Sequence, residues 1–151
     1  MAKKISKSIR VVSLRMVREK SISYEAPIFQ SENVVDLVRP ILAGSYRECV
    51  LVVGLDNAQK PTVIHTVGTG SPTQSPVFVA NVLKPLLLSN ATSFIVVHNH
   101  PSGILAPSSA DKVITKRLKD AGNLVEIHMS DHIIVSGDCS EFYSFRRNGL
   151  I

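Results

Sequence analysis

The residues with most chemistry to offer lie between His98 and Asp111: His-Asn-His-Pro-Ser-Gly-Ile-Leu-Ala-Pro-Ser-Ser-Ala-Asp. On an extended backbone, side chains two apart share a face, so His98 and His100 can reach one point. Pro101 keeps His100 extended by disfavouring the α region before it. Ser108, with Asp111 three positions on, reads as a helix N-cap and its boxed partner. Two imidazoles and a carboxylate thus converge from a strand end and a helix start, a ligand set for a divalent metal with a position left for water. Water in such a site becomes a nucleophile near neutral pH. A proton acceptor is then needed, and Glu48 is the candidate, because the start of an apolar strand is an awkward place for a carboxylate unless it faces a site. Ser108 offers a hydroxyl to a developing oxyanion. Each residue also has a plain structural role, as a polar strand end, a cap or a helix-start carboxylate. It is the combination at this spacing that favours ligands.

The elements that must position these residues follow from the flanking pattern. Ser93-Phe94-Ile95-Val96-Val97 is short, apolar and β-branched, a buried strand leading straight into His98. A helix is expected over Ser109–Ala121, with Val113, Ile114 and Leu118 inward and Gly122 ending it. Leu124–Met129 and His132–Val135 read as two strands joined by a Ser130-Asp131 turn. Strand, helix and strand over 93–129 make a βαβ unit with parallel strands, and sites in such folds lie beyond the carboxyl ends of strands. Upstream, Val11–Arg18 reads as a charged edge strand. A helix is capped by Ser31, with Pro40 kinking or shortening it and Gly44 closing it. Glu48–Leu55 is a central strand covered on both faces, and Thr62–Val67 is its hairpin partner. The loop 68–76 lacks a Walker lysine. A further helix carries Phe78, Val79, Val82, Leu83, Leu86 and Leu87 around an internal Pro85. Phe142, Tyr143 and Phe145 dock the tail on the core. His132 beside Asp131 could form a supporting pair behind the ligands but reads rather as a structural residue of the turn, His65 and His128 as partly buried strand residues, and Cys49 and Cys139 as core thiols. The fold class is α/β, with residues 1–8 a flexible basic tail and 9–151 one domain.

The 151 residues suffice for one core. No apolar run is long enough to span a bilayer, and no h-region follows the basic start, so neither membrane nor signal peptide is expected. Two cysteines without a CxxC pair fit a reducing, cytoplasmic setting. The net charge of +5 gathers in Lys3, Lys4, Lys7, Arg10, Arg15, Arg18 and Lys20, and again in Lys112, Lys116, Arg117 and Lys119. No aromatic interleaves with these charges, so a solvated tail and helix face is the favoured reading over a nucleic-acid surface.

The string His98-x-His100, seven residues, Ser108, two residues, Asp111, with Glu48 upstream, resembles the JAMM/MPN+ zinc metalloprotease motif. Within that superfamily, His98-Asn-His-Pro-Ser-Gly103, Pro107-Ser108 and Asp131-His132-Ile133-Ile134 resemble the bacterial RadC-like JAB-domain proteins, from about Val11 to the C-terminus. The resemblance implies a mixed sheet flanked by helices, related to the cytidine-deaminase architecture. It also implies zinc on His98, His100 and Asp111, acid/base work at Glu48 and a catalytic serine at Ser108, with cleavage of peptide or isopeptide bonds, often to ubiquitin-like proteins. The helix-hairpin-helix module of many relatives has no room here, and Ser75-Pro76-Val77-Phe78 replaces the family's HPRE-like stretch.

The leading expectation is therefore a zinc-dependent peptide or isopeptide hydrolase. The alternative is a DNA-associated RadC-type protein, for which salt-dependent DNA binding is the discriminating observation. Two histidines and a carboxylate also suit an iron site for oxygen chemistry. A deaminase is disfavoured because no PCxxC follows the histidines, and the literal His-Asn-His string is not an HNH nuclease signature.

Overall fold

Seven nearly continuous apolar residues, Cys49–Leu55, form the strand β1, and strict alternation divides them between two cores. Leu51, Val53 and Leu55 face one layer; Val50 and Val52 face the other. A computed structural model describes residues 8–70 and 77–151. In it, helix α1 (Ser31–Leu42) covers the first face of a mixed sheet, while α2 (Val79–Leu88) and α3 (Ser109–Leu124) cover the second. The sheet contains β1, β2 (Pro61–Thr69), β3 (Ser93–His100), β4 (His128–Ser136) and β5 (Phe142–Ser144), in the order β2-β1-β3-β4-β5. The β1–β2 hairpin and the β1–β3 pair are antiparallel, β3 and β4 are parallel as the βαβ pattern requires, and β5 returns antiparallel. The fold is the expected α/β arrangement of a mixed sheet between helices, with β3 central. No described helix is long and apolar enough to cross a membrane.

Several boundaries differ from expectation. Val11–Arg18 forms no strand: the segment is exposed throughout, and β-propensity without a partner ladder leaves backbone groups with only water to bond. Gln30, not Ser31, caps α1, with the Gln30 N–H bonded to Asn33 Oδ1 at 3.2 Å. The Ser31 hydroxyl is used elsewhere, donating to Asp131 Oδ2. Pro40 is absorbed near the end of α1, which runs on to Leu42. His65 and His128 are exposed, and Cys49 is half-buried while Cys139 is buried. The basic stretch 1–7, the loop residues 71–76 and hence Ser75-Pro76 lie outside the described residues.

Helix α3 does not stop at Gly122 but continues to Leu124. Glycine is needed there for space. A Cβ at Gly122 would stand 2.4 Å from the Ile127 carbonyl oxygen and 2.8 Å from the Phe94 ring. The expected turn at Ser130-Asp131 is likewise absent, and β4 is one strand from His128 to Ser136. Its register against β3 slips by one residue: Phe94 faces Met129, but Ile95 faces Asp131. Ser130 is the extra residue of this bulge. Polar Ser and Asp imitate a turn, but Asp131 is buried and fully engaged. Its Oδ2 accepts from Ser144 Oγ at 2.5 Å and Ser31 Oγ at 3.3 Å, and its Oδ1 from the His132 and Arg146 N–H groups at 2.7 and 3.0 Å. One carboxylate thus ties α1, β4 and the tail together.

Two substitutions test these packing roles by urea unfolding. Gly122→Ala gains helix propensity but overpacks the Phe94 contact, and is expected to lose on the order of 2 kcal/mol. Asp131→Asn turns an amide toward groups that all donate, and is expected to lose roughly 2–3 kcal/mol.

Candidate metal centre

Strand β3 is buried along its length, and its last alternation delivers His98 and His100 to the face carrying α2 and α3. The strand ends in a turn closed by the Gly103 N–H on the His100 carbonyl at 2.9 Å, with Gly103 at φ +77°. That left-handed conformation suits glycine. The turn brings the Ile104 carbonyl back to 2.5 Å from His100 Nδ1. Ser108 then caps α3 as expected. Its Oγ accepts from the Asp111 N–H at 3.1 Å, and its N–H and hydroxyl both donate to Asp111 Oδ2 at 2.7 Å.

The three expected ligands meet. Ligand atoms of His98, His100 and Asp111 lie within 4.8 Å of one another. His98 Nε2 is 2.9 Å from His100 Nε2 and 3.3 Å from Asp111 Oδ1. His98 and Asp111 are each only 2% exposed. Burial pushes the Asp111 carboxyl up, but hydrogen bonding to His98 and Ser108 outweighs it and holds the group well below the usual carboxylate range. Asp111 is therefore an anion at neutral pH.

The fit to a metal ion follows from where the ring protons go. A carbonyl oxygen has no proton to give, so His100 Nδ1 carries one toward Ile104 and leaves Nε2 with a lone pair. His98 Nδ1 is similarly occupied, 2.8 Å from His132 Nε2. Two imidazole nitrogens and a carboxylate oxygen then converge on one point, where a cation, either a ring proton on His98 Nε2 or a divalent ion, satisfies all three. Nitrogen and oxygen donors of this kind suit zinc and neighbouring divalent ions, so the residues fit the group.

Glu48 lies just before β1. Continuing the β1–β3 register, in which Val50 faces His98, brings Glu48 level with His100. Its Oε2 is buried and has no hydrogen-bond partner. The backbone around it is firmly held: the Glu48 carbonyl accepts from the Gly70 N–H at 2.7 Å. Asn99, wholly buried on the opposite face of β3, accepts from the Cys49 N–H at 2.7 Å and donates to the Arg47 carbonyl at 3.0 Å. The Asn99 amide thus clamps the chain on both sides of Glu48. Sequence reasoning passed over Asn99, although a polar residue between two ligand histidines on a buried strand was the available signal.

His132 is no turn residue; it lies within β4, is 1% exposed and is stacked on Phe145 with ring centroids 4.6 Å apart. Burial first, then the neighbouring His98, pushes its imidazole well below the ordinary value, so the ring is neutral.

Comparison with known proteins agrees with this geometry. Residues 28–150 match the family described as the RadC-like JAB domain. A UPF0758 protein of Pseudoalteromonas translucida is 37% identical over 94% of this chain and 66% of its own length. A Haemophilus influenzae relative is 35% identical over 95% and 64%, respectively, so the chain spans just under two thirds of these two proteins. The Escherichia coli UPF0758 protein YfjY is 37% identical over 91% of this chain and 82% of its own length. Strand, turn and capped helix carry the two histidines and the aspartate within the matched residues, and the chain belongs to the RadC-like JAB domain family.

Proposed function

We propose that this domain is a zinc-dependent hydrolase of peptide or isopeptide bonds. The observation that carries the reading is the convergence of His98 Nε2, His100 Nε2 and Asp111 Oδ1 at one buried point whose electron pairs call for a cation. A divalent ion there supplies Lewis acidity and makes water a usable nucleophile near pH 7.

The chain's own residues divide the remaining work. His98, His100 and Asp111 hold the ion. Glu48 takes the proton from the attacking water and passes it to the leaving amine; an otherwise unpartnered carboxylate oxygen on a clamped backbone supports that role. Ser108 donates to the oxyanion that forms at the scissile carbonyl. Its hydroxyl proton rests on Asp111 Oδ2, where the Ser108 N–H also donates, so the aspartate keeps a donor when the hydroxyl turns away. A protein or peptide is the partner such a site serves, including a ubiquitin-like conjugate.

Two measurements test the reading. Elemental mass spectrometry of protein purified without added metal is expected to find near-stoichiometric zinc in the wild type and its loss in His98→Ala; a wild type that takes up no zinc even when it is offered defeats the proposal. Zinc-loaded protein is then incubated with a proteome-derived peptide library and with isopeptide-linked conjugates, and new termini are read by mass spectrometry. Glu48→Gln should retain zinc while cleavage falls at least about 100-fold. Equal cleavage by the two proteins, or none by the wild type, counts against hydrolysis at this site.

A further inference from the structure

Beneath His98 runs a closed chain of hydrogen bonds that the hydrolytic reading does not use. Thr115 Oγ1 donates to the Asp111 carbonyl at 2.6 Å, one turn back along α3. Its single proton is spent there, so toward His132 Nδ1, 2.6 Å away, Thr115 can only accept. His132 Nδ1 must carry the proton of that bond. The His132 ring is enclosed, and its hydrogen-bond partners are a hydroxyl and an imidazole with no carboxylate to balance a second proton, so Nε2 is an acceptor and the proton between it and His98 Nδ1 belongs to His98. The order of donors is fixed from one end to the other, with Thr115, His132 and Asp111 buried.

We infer that His132 and Thr115 are positioning residues that set the tautomer of His98, holding its proton on Nδ1 so that Nε2 is presented bare to the centre, and that they couple this ring to the backbone of Asp111. The inference rests on the metal-site reading for its purpose but not for its geometry. An isolated histidine is free to place its proton on either nitrogen. His100 is fixed by a backbone carbonyl; His98, deeper in the sheet, has no carbonyl in reach of Nδ1 among its hydrogen-bond partners and uses a second histidine instead. The stack on Phe145 and the bond to Thr115 fix the plane of His132, and through it the plane of His98. Partners of this kind typically change metal affinity about 10–100-fold when removed.

The test has one readout with metal and one without. Long-range nitrogen–proton correlation spectra of metal-free protein, with histidines labelled by nitrogen-15, report which ring nitrogens are protonated. The wild type should show His98 Nδ1 protonated, and His132→Leu and Thr115→Val should shift the proton toward Nε2. An unprotonated His98 Nδ1 in the wild type overturns the inference. Zinc affinity, measured by competition with a chromophoric chelator, should weaken about 10–100-fold in His132→Leu and less in Thr115→Val. His132→Gln, whose amide oxygen can accept at the former Nε2 position, should recover to within about threefold of the wild type. His132→Leu that binds zinc as tightly as the wild type overturns the role, provided urea unfolding shows the variant folded. If the wild type binds no zinc, the metal reading falls, and the nitrogen spectrum alone decides whether the relay exists.

Discussion

Groups that all seek a positive charge, whether a proton or a metal ion, crowd together at the centre of this molecule. Two imidazole nitrogens 2.9 Å apart and an ionised carboxylate nearby are an arrangement that solution chemistry would disperse at once. It persists because each donor is restrained from behind. His100 is tied to the Ile104 carbonyl, Asp111 to both donors of Ser108, and His98 to His132. These restraints need rigid ground. They are anchored in a strand buried on both faces and in the first turn of a helix that packs on the same sheet. A preorganised site of this kind gives up part of its folding energy to keep its donors apart from water and close together.

The sandwich of layers explains how a small domain tolerates that cost. The face under α1 is almost wholly aliphatic, with Val34, Val38, Leu42, Leu51, Val53 and Val97 shut away from solvent. The opposite face holds a comparable apolar core at one end, around Phe94, Val96 and Leu118, and the polar centre at the other. Stability and chemistry are thus separated along β3: the strand begins as core and finishes as site. Asn99 belongs to both. It projects from the site-bearing end toward the aliphatic side and uses its amide where the strand ladder gives out.

The legible parts of this design are those governed by short-range rules. Two-residue alternation put His98 and His100 on one face, a capping box located Ser108 and Asp111, and an apolar run identified each central strand. What escaped depends on distant partners. The bonds of Asn99 reach across to residues 47–49, and Asp131 looks like a turn former until Ser31, Ser144 and Arg146 arrive to satisfy it. Gly122 carries the usual signal of a helix end, but the signal refers to the ring of Phe94. The alternating residues 11–18 show the converse, a strand pattern with no ladder to join.

The bulge at Ser130 has a bearing on the charge of the centre. Alternation carried without interruption from Met129 would send Asp131 to the metal-site face and His132 to the α1 face. The one extra residue reverses this, giving the carboxylate to the nest of donors around Ser144 and the imidazole to His98. The donor set consequently holds one anion, Asp111, with a neutral ring behind it, where the unbulged phase would have stacked a second carboxylate beneath His98. A single inserted residue in a strand thereby acts as an electrostatic selector: it fixes how much negative charge gathers behind the end of β3 without altering any residue that faces the open side.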